Sequence, residues 1–415
     1  ALLTAAACPR PGVRPGVPQR GEPELRVGLA VGVPSLTLGG EGGGEMFVSE
    51  LGGRGLPVGS IPAGVVWRVV ADSTAPGQLR VMRPDGTVDG PYRGLTVVNV
   101  TEGRFAVANG RRYRGRLTVH PGARASGAGL TLVNRVGLEG YLAGVVGPEL
   151  GRRSAEEMDA VLAQAIVSRT FALRNRGRWE SLGFDAHADV RDQVYHGVAA
   201  ESPQVWEALR RTTGQVVRYD GRTIDAYFHS TCGFSTAGVE EAFATARARP
   251  YLRAVSDARQ GGRGYYCDIS PRFRWREEWD GPWLRAILTR TLPAVMPVGP
   301  GGLPRITNVV VTRTTRSGRV GELRIVFERG DVRIPAAQVR SILRPDLDRI
   351  LHSGAFQLTV ETRGGRLDRL VAAGAGSGHG VGMCQWGAIG RARAGQSYRT
   401  ILATYFPGTK LERAY

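Results

Sequence analysis

The chain has 415 residues, more than the about 100–200 of a usual domain, so at least two folded units with ample cores are expected. Its 42% hydrophobic and 22% charged residues exclude whole-chain disorder, and 59 glycines with 24 prolines favour short strands and turns over a coiled coil. The formal charge of +18, carried by arginine with Lys410 as the only lysine, should attract polyanions: nucleic acid, anionic lipid or acidic wall polymers.

Ala1-Leu-Leu-Thr-Ala-Ala-Ala-Cys8 resembles the end of a signal peptide and a degraded lipobox with Cys8 as the lipidated residue, the competing reading being a plain chain end. Residues up to 24 then read as a Pro/Gly tether. Residues 25–135 carry apolar runs punctuated by Gly and Asp-Gly, among them Val65 to Val70, Leu95 to Val100, Leu117 to Val119 and Leu130 to Val133, which predicts an all-β region. Ser154 with Glu157 forms a capping-box pattern, and Met158, Val161, Leu162, Ala165, Ile166, Ala172 and Leu173 recur at helical spacing, predicting a helix to about Arg176 with one buried stripe. Ser202-Pro203 starts a second helix, and Asp220-Gly221 turns a hairpin over 215–228. Residues 281–372 read as an inserted α/β region with short helices near 281 and 336–343, paired strands and a closing hairpin. Residues 373–415 are Gly-rich and then helical. The expected fold class is α+β: one long helix and shorter ones on β-sheet, with a core split into 136–280 and 373–415.

Nowhere do about 18 apolar residues follow one another, so no internal membrane helix is expected. The arginines are scattered without a basic run or a reading motif, which argues against nucleic acid as a partner.

Glu149 closes a largely apolar segment just before the capped helix. Loss of hydration there would raise its pKa toward the range of a proton donor, while a solvated loop glutamate is the bland alternative. His196, His229, Cys232, Cys267, His379 and Cys384 gather in short motifs without paired C-x2-C spacing. Zinc, a Cys232–Cys267 disulfide and free thiols all stay open, and Cys384 or Cys232 is a conceivable nucleophile with no activating partner in sequence.

Six segments occur in a fixed order: Glu139-Gly-Tyr-Leu-Ala-Gly-Val-Val-Gly-Pro-Glu149, Ala163-Gln-Ala-Ile-Val-Ser-Arg-Thr-Phe-Ala-Leu173, Asp192-Gln-Val-Tyr-His-Gly197, Tyr227-Phe-His-Ser-Thr-Cys-Gly233, Pro250-Tyr-Leu252 and Gly378-His-Gly-Val-Gly-Met-Cys-Gln-Trp-Gly-Ala388. Together they resemble the successive motifs of the SpoIID/LytB family across roughly residues 90–411. The resemblance implies an exported cell-envelope protein acting on peptidoglycan: a lytic transglycosylase that cuts peptide-stripped glycan strands, or alternatively a non-catalytic, wall-binding amidase enhancer. A partner N-acetylmuramoyl-L-alanine amidase goes with the second reading. Glu149 matches the family's acid. Arg169, Gln193, Tyr195, His196, His229, Ser230, His379 and Gln385 are the implied substrate-binding residues. The chemistry needs no cofactor, and the resemblance allows zinc, for which His196, His229, Cys232 and Cys267 are the expected ligands. Two departures, Gly233-Phe-Ser-Thr236 and Val190-Arg-Asp-Gln193, alter the expected cleft wall.

Overall fold

The computed structural model describes residues 21–49, 55–98, 103–122, 129–299 and 302–415. Cys8 and most of the tether lie outside the described residues. The fold is α+β and divides into two units. One holds the described residues up to Arg153, with Gln164–Val216 and Glu412–Tyr415. The other holds Ser154–Ala163 and Val217–Leu411. The expected boundary at 135/136 thus falls inside the first unit, and those at 280/281 and 372/373 fall inside the second.

The first unit carries the predicted β-rich region as two sheets. The larger has the strand order Ala186–His187, Glu24–Val33, Leu130–Gly137, Arg116–Pro121, Leu95–Val98, Gly44–Val48 and Pro57–Ile61. The smaller runs Arg111–Tyr113, Ala106–Ala108, Ser35–Gly40, Val66–Ala71, Leu79–Met82 and Val88–Tyr92. Alternation decides which way each strand faces: Leu95, Val97, Leu117, Leu130 and Leu132 are buried apolar residues, whereas Thr96, Thr118 and Val133 stand opposite one another in register on the other face. The last strand of the larger sheet's core leads directly into the helix Leu138–Ala143, every residue of which is buried, and then into the short helix Val146–Leu150.

The long helix is Met158–Arg174, preceded by a 3-10 turn, Ala155–Glu157, whose capping box uses Ser154 and Glu157 as the sequence predicts. It departs from the expected single stripe. Ala160–Ala163 and Ala165–Val167 are buried together with Gln164, Ser168, Arg169 and Thr170. A helix can be buried all round only if its polar groups find partners: Gln164 donates to Ser168 Oγ at 3.0 Å, and the Thr170 hydroxyl to the Ile166 carbonyl at 2.6 Å.

In the second unit the predicted hairpin is shorter than expected. Only Arg218 and Tyr219 of the strand Gln215–Tyr219 pair with Arg222–Thr223, across a turn in which Asp220 and Gly221 both have positive φ, as a tight hairpin requires; the strand's other neighbour is Lys410–Arg413. The chain then leaves the ladder, and Phe228–His229 pairs in parallel with Met383–Cys384. Residues 274–375 have their own core. The strands Arg274–Asp280, Arg366–Ala375 and Phe356–Arg363 form one sheet, and Ile306–Thr314, Val320–Phe327 and Asp331–Pro335 another. Trp279, Leu288, Leu323, Ile334 and Leu370 pack between them and the helices Gly281–Thr291 and Ala336–Ile342.

Candidate functional site

In the first unit, Glu149 sits half-buried in the short helix Val146–Leu150. One carboxylate oxygen accepts the Val194 backbone N–H at 3.2 Å, which ties the acid to the Asp192–Gly197 motif. That motif is held in turn by Asp192, which accepts the Trp179 indole N–H at 2.7 Å and the His187 amide at 2.8 Å. Gln193, beside Val194, is buried. Its Oε1 accepts the Tyr141 hydroxyl at 3.3 Å, while its Nε2 has no partner among the described residues. A buried amide nitrogen left unpaired is costly, and such groups are found where a ligand completes them. Burial holds the Tyr141 hydroxyl well above its usual pKa, with the carboxylates of Asp192 and Glu149 adding to the shift.

The other expected residues of this unit divide. His196 is exposed. Tyr195 is buried, with its hydroxyl on Asn134 Oδ1 at 2.8 Å and its ring against Tyr141, so it supports the site from beneath and is not free to stack on a sugar. Arg169 is fully buried and bidentate to Glu139 at 2.8 and 2.7 Å. Its guanidinium is engaged inside the protein by Glu139.

In the second unit, the parallel pairing of Phe228–His229 with Met383–Cys384 brings the His-Ser-Thr-Cys and Gly-His-Gly-Val-Gly-Met-Cys motifs together. The His229 and His379 rings are 5.6 Å apart. His229 Nδ1 lies 3.1 Å from the Val381 carbonyl, so Nδ1 carries the proton and Nε2 presents a lone pair. That Nε2 is buried without a partner among the described residues, a second orphan polar atom at an expected site residue. Burial, with the Arg319 charge second, lowers the His229 pKa to about 3, which keeps the ring neutral. Ser230 is half-buried and its carbonyl accepts the Trp386 amide at 3.0 Å. Gln385 is buried at the start of the helix Gln385–Arg393. The glycines around His379 serve the protein's own packing. A Cβ at Gly378 would lie 2.8 Å from His229 Cβ, and one at Gly380 would lie 2.8 Å from the Arg319 guanidinium.

The metal-ligating set differs from the expected one. Cys232 and Cys267 stand with Cys384 and Asp257, all four buried and with one donor atom each within 4.8 Å of the others. His229 is not in this group, and His196 belongs to the first unit. The three cysteines are free, with the Cys232 and Cys267 sulfurs 3.5 Å apart, so the disulfide alternative does not hold. Cys384 Sγ accepts the amides of Cys232 and Gly387, each at 3.2 Å. Burial raises the Cys384 thiol, but hydrogen bonds from the Cys232 and Cys267 thiols outweigh this and bring it down to about 6. Burial pushes the Cys232 thiol up well above its usual value. Asp257 is oriented by the Tyr405 hydroxyl at 2.7 Å and Arg391 at 3.2 Å. The cluster is able to hold a metal ion: it supplies four donors, amides that stabilise a thiolate, and an outer shell that fixes the carboxylate. The fourth donor, Asp257, has no local signature in sequence. Cys384 is visible there among the gathered histidines and cysteines and as a conceivable nucleophile, but not in the expected ligand set.

The geometry is thus an acid clasped by the chain that follows it, beside an unpaired buried amide. Comparison with known proteins bears out the resemblance carried by the motif order. Residues 126–219 match the family model described as Stage II sporulation protein, SpoIID. Residues 259–382 match a second model, described as a domain of unknown function, DUF8618. An uncharacterized protein of Brachyspira hyodysenteriae is 28% identical over 319 residues, 76% of each chain. The Bacillus subtilis amidase enhancer is 25% identical over 278 residues, 61% of this chain and 38% of the enhancer. Stage II sporulation protein D of the same organism is 25% identical over 308 residues, 68% of this chain and 76% of that protein. The chain carries a SpoIID domain and is a relative of the SpoIID/LytB proteins. Among the described residues no helix is long and apolar enough to cross a membrane.

Proposed function

We infer that the protein is an extracytoplasmic lytic transglycosylase acting on peptidoglycan glycan strands, with Glu149 as acid and base. The observation that carries this reading is the Val194 N–H bond to the Glu149 carboxylate, which holds the acid next to the unpaired Gln193 amide. In the reaction, protonated Glu149 gives its proton to the oxygen joining N-acetylmuramic acid to N-acetylglucosamine. The bond from that oxygen to the muramoyl C1 breaks as positive charge develops on the ring. The muramoyl C6 hydroxyl then attacks C1, Glu149 takes up the hydroxyl proton, and a 1,6-anhydro end forms without water. One carboxylate is enough, because the nucleophile belongs to the substrate. The Gln193 amide would bind an acetamido carbonyl.

Cys232, Cys267, Cys384 and Asp257 would hold zinc as a closed structural site, for which four protein donors and full burial are suited. Bound there, the metal would pin the strand after His229 to the turn that begins the helix Gln385–Arg393, and it takes no part in the proton transfers.

A second reading is favoured by the similarity to the amidase enhancer: a wall-binding protein that stimulates an amidase and cuts nothing. Mass spectrometry of peptide-stripped glycan strands treated with the protein and with Glu149→Gln separates the two. Anhydromuramoyl ends made only by the parent protein support the transglycosylase. Binding by both without new ends leaves the enhancer.

A further inference from the structure

The larger sheet of the first unit has a polar face that the proposed reaction does not use. By register, Thr96, Thr118 and Val133 stand side by side on it, as do His120 with Thr131 and Arg116 with Arg135. The threonines are buried, and the Thr96 and Thr131 hydroxyls have no partner among the described residues. Over this face lies a cavity of about 760 Å³, within the about 300–1,000 Å³ of small-ligand sites. Its walls include Arg26, Arg93, Arg135, Thr118, His120 and Glu180, and none of Glu149, Gln193 or His196.

The charges here are not equivalent. Arg26 is held by Asp185 at 2.8 Å and by Glu180, and Arg135 by Glu24 at 2.7 Å. Arg93 is exposed on the wall, and among the described residues no ion pair engages it. It is therefore the cation left for a ligand. His120 Nδ1 lies 3.1 Å from the Pro121 carbonyl, so Nδ1 carries the proton. Its Nε2 is buried without a partner among the described residues and presents a lone pair. One unpaired guanidinium, one unpaired imidazole acceptor and the Ser49 and Thr118 side chains on the walls match a ligand that combines a carboxylate with several hydroxyl or amide donors.

We propose that this cavity is a binding site for an acidic saccharide, its carboxylate on Arg93 and a hydroxyl on His120 Nε2. The choice of N-acetylmuramic acid as that sugar rests on the wall-glycan reading; the cation and the acceptor do not. The site would grip a strand at a lactyl carboxylate, independently of the acid that cuts it.

The test is calorimetric titration of the full chain with N-acetylmuramic acid, with N-acetylglucosamine, which lacks the carboxylate, and with inorganic phosphate. The variants are Arg93→Gln, Glu149→Gln and, as a charge-matched control, Arg329→Gln, which is exposed on the other unit. The expected result is muramic acid binding about tenfold tighter than the neutral sugar. Arg93→Gln should erase that preference, and the other two variants should keep it. Equal binding of the two sugars, or an unchanged preference in Arg93→Gln, overturns the proposal. Phosphate competing as well as muramic acid reduces the site to a simple anion site and overturns it too. Loss of binding in Glu149→Gln alone puts the sugar at the acid, which removes this site and leaves the proposed function standing. Loss in Arg93→Gln from a protein that cuts no glycan does the reverse.

Discussion

Arg169 meets Glu139 in a bidentate ion pair at 2.8 and 2.7 Å, with the arginine side chain wholly out of solvent. The guanidinium also donates to the Gln215 carbonyl at 3.2 Å, and the Tyr415 hydroxyl donates to the same carboxylate. A pair this buried is stable only as a complete set, because either partner alone is an uncompensated charge.

Arg169→Met should therefore destabilise the protein by about 3–5 kcal/mol, read as a lower denaturant midpoint. Arg169→Met combined with Glu139→Leu should recover much of that loss, since no lone charge remains. A single variant as stable as the parent would show that the pair does not bear on folding.

Gln193→Met should cost at least about tenfold in kcat/KM on glycan strands while moving the thermal midpoint little. It gives up the bond from the Tyr141 hydroxyl but also removes the unpaired Nε2. A large loss of stability with unchanged kinetics would make Gln193 a packing residue.

For the cysteine cluster, elemental analysis of the purified protein should give one zinc per chain, and Cys267→Ala should abolish it. Chelation should expose three titratable thiols and lower the midpoint of the second unit, which contains Cys232, Cys267 and Cys384. Metal-free protein with an unchanged midpoint would refute a structural metal.

Acid sensitivity should appear in the first unit below about pH 4. Asp72 accepts the Thr74 hydroxyl and amide at 2.7 and 2.8 Å and Arg80 Nε at 2.7 Å. Those bonds lower its pKa from 3.8 to about 2. A carboxyl depressed in the folded state contributes stability that is full above its unfolded value and is lost as pH falls through its folded one, here between 3.8 and about 2. Asp72→Asn should flatten that part of the pH profile of the unfolding midpoint, and identical profiles would argue against the linkage.

What could be read from the sequence was local. The Ser154–Glu157 cap and the Asp220-Gly221 turn are set by residues a few positions apart, and both form as expected. The cysteine cluster depends on strands far apart in the chain: Cys232 donates to Cys384 across 152 positions, a pairing that no periodicity encodes. The resemblance implies substrate contact for Arg169, and helical spacing cannot tell a solvent face from a helix buried all round. Gln193 could be picked out by motif, but its unpaired nitrogen is a property of the packing around it.

Digestion of peptide-stripped glycan strands in water enriched in oxygen-18 tests the central claim most directly. If Glu149 directs the substrate's own C6 hydroxyl to C1, the new ends are 1,6-anhydromuramoyl groups that carry no heavy oxygen. Reducing muramoyl ends labelled at C1 would show that water is the nucleophile and would contradict the transglycosylase.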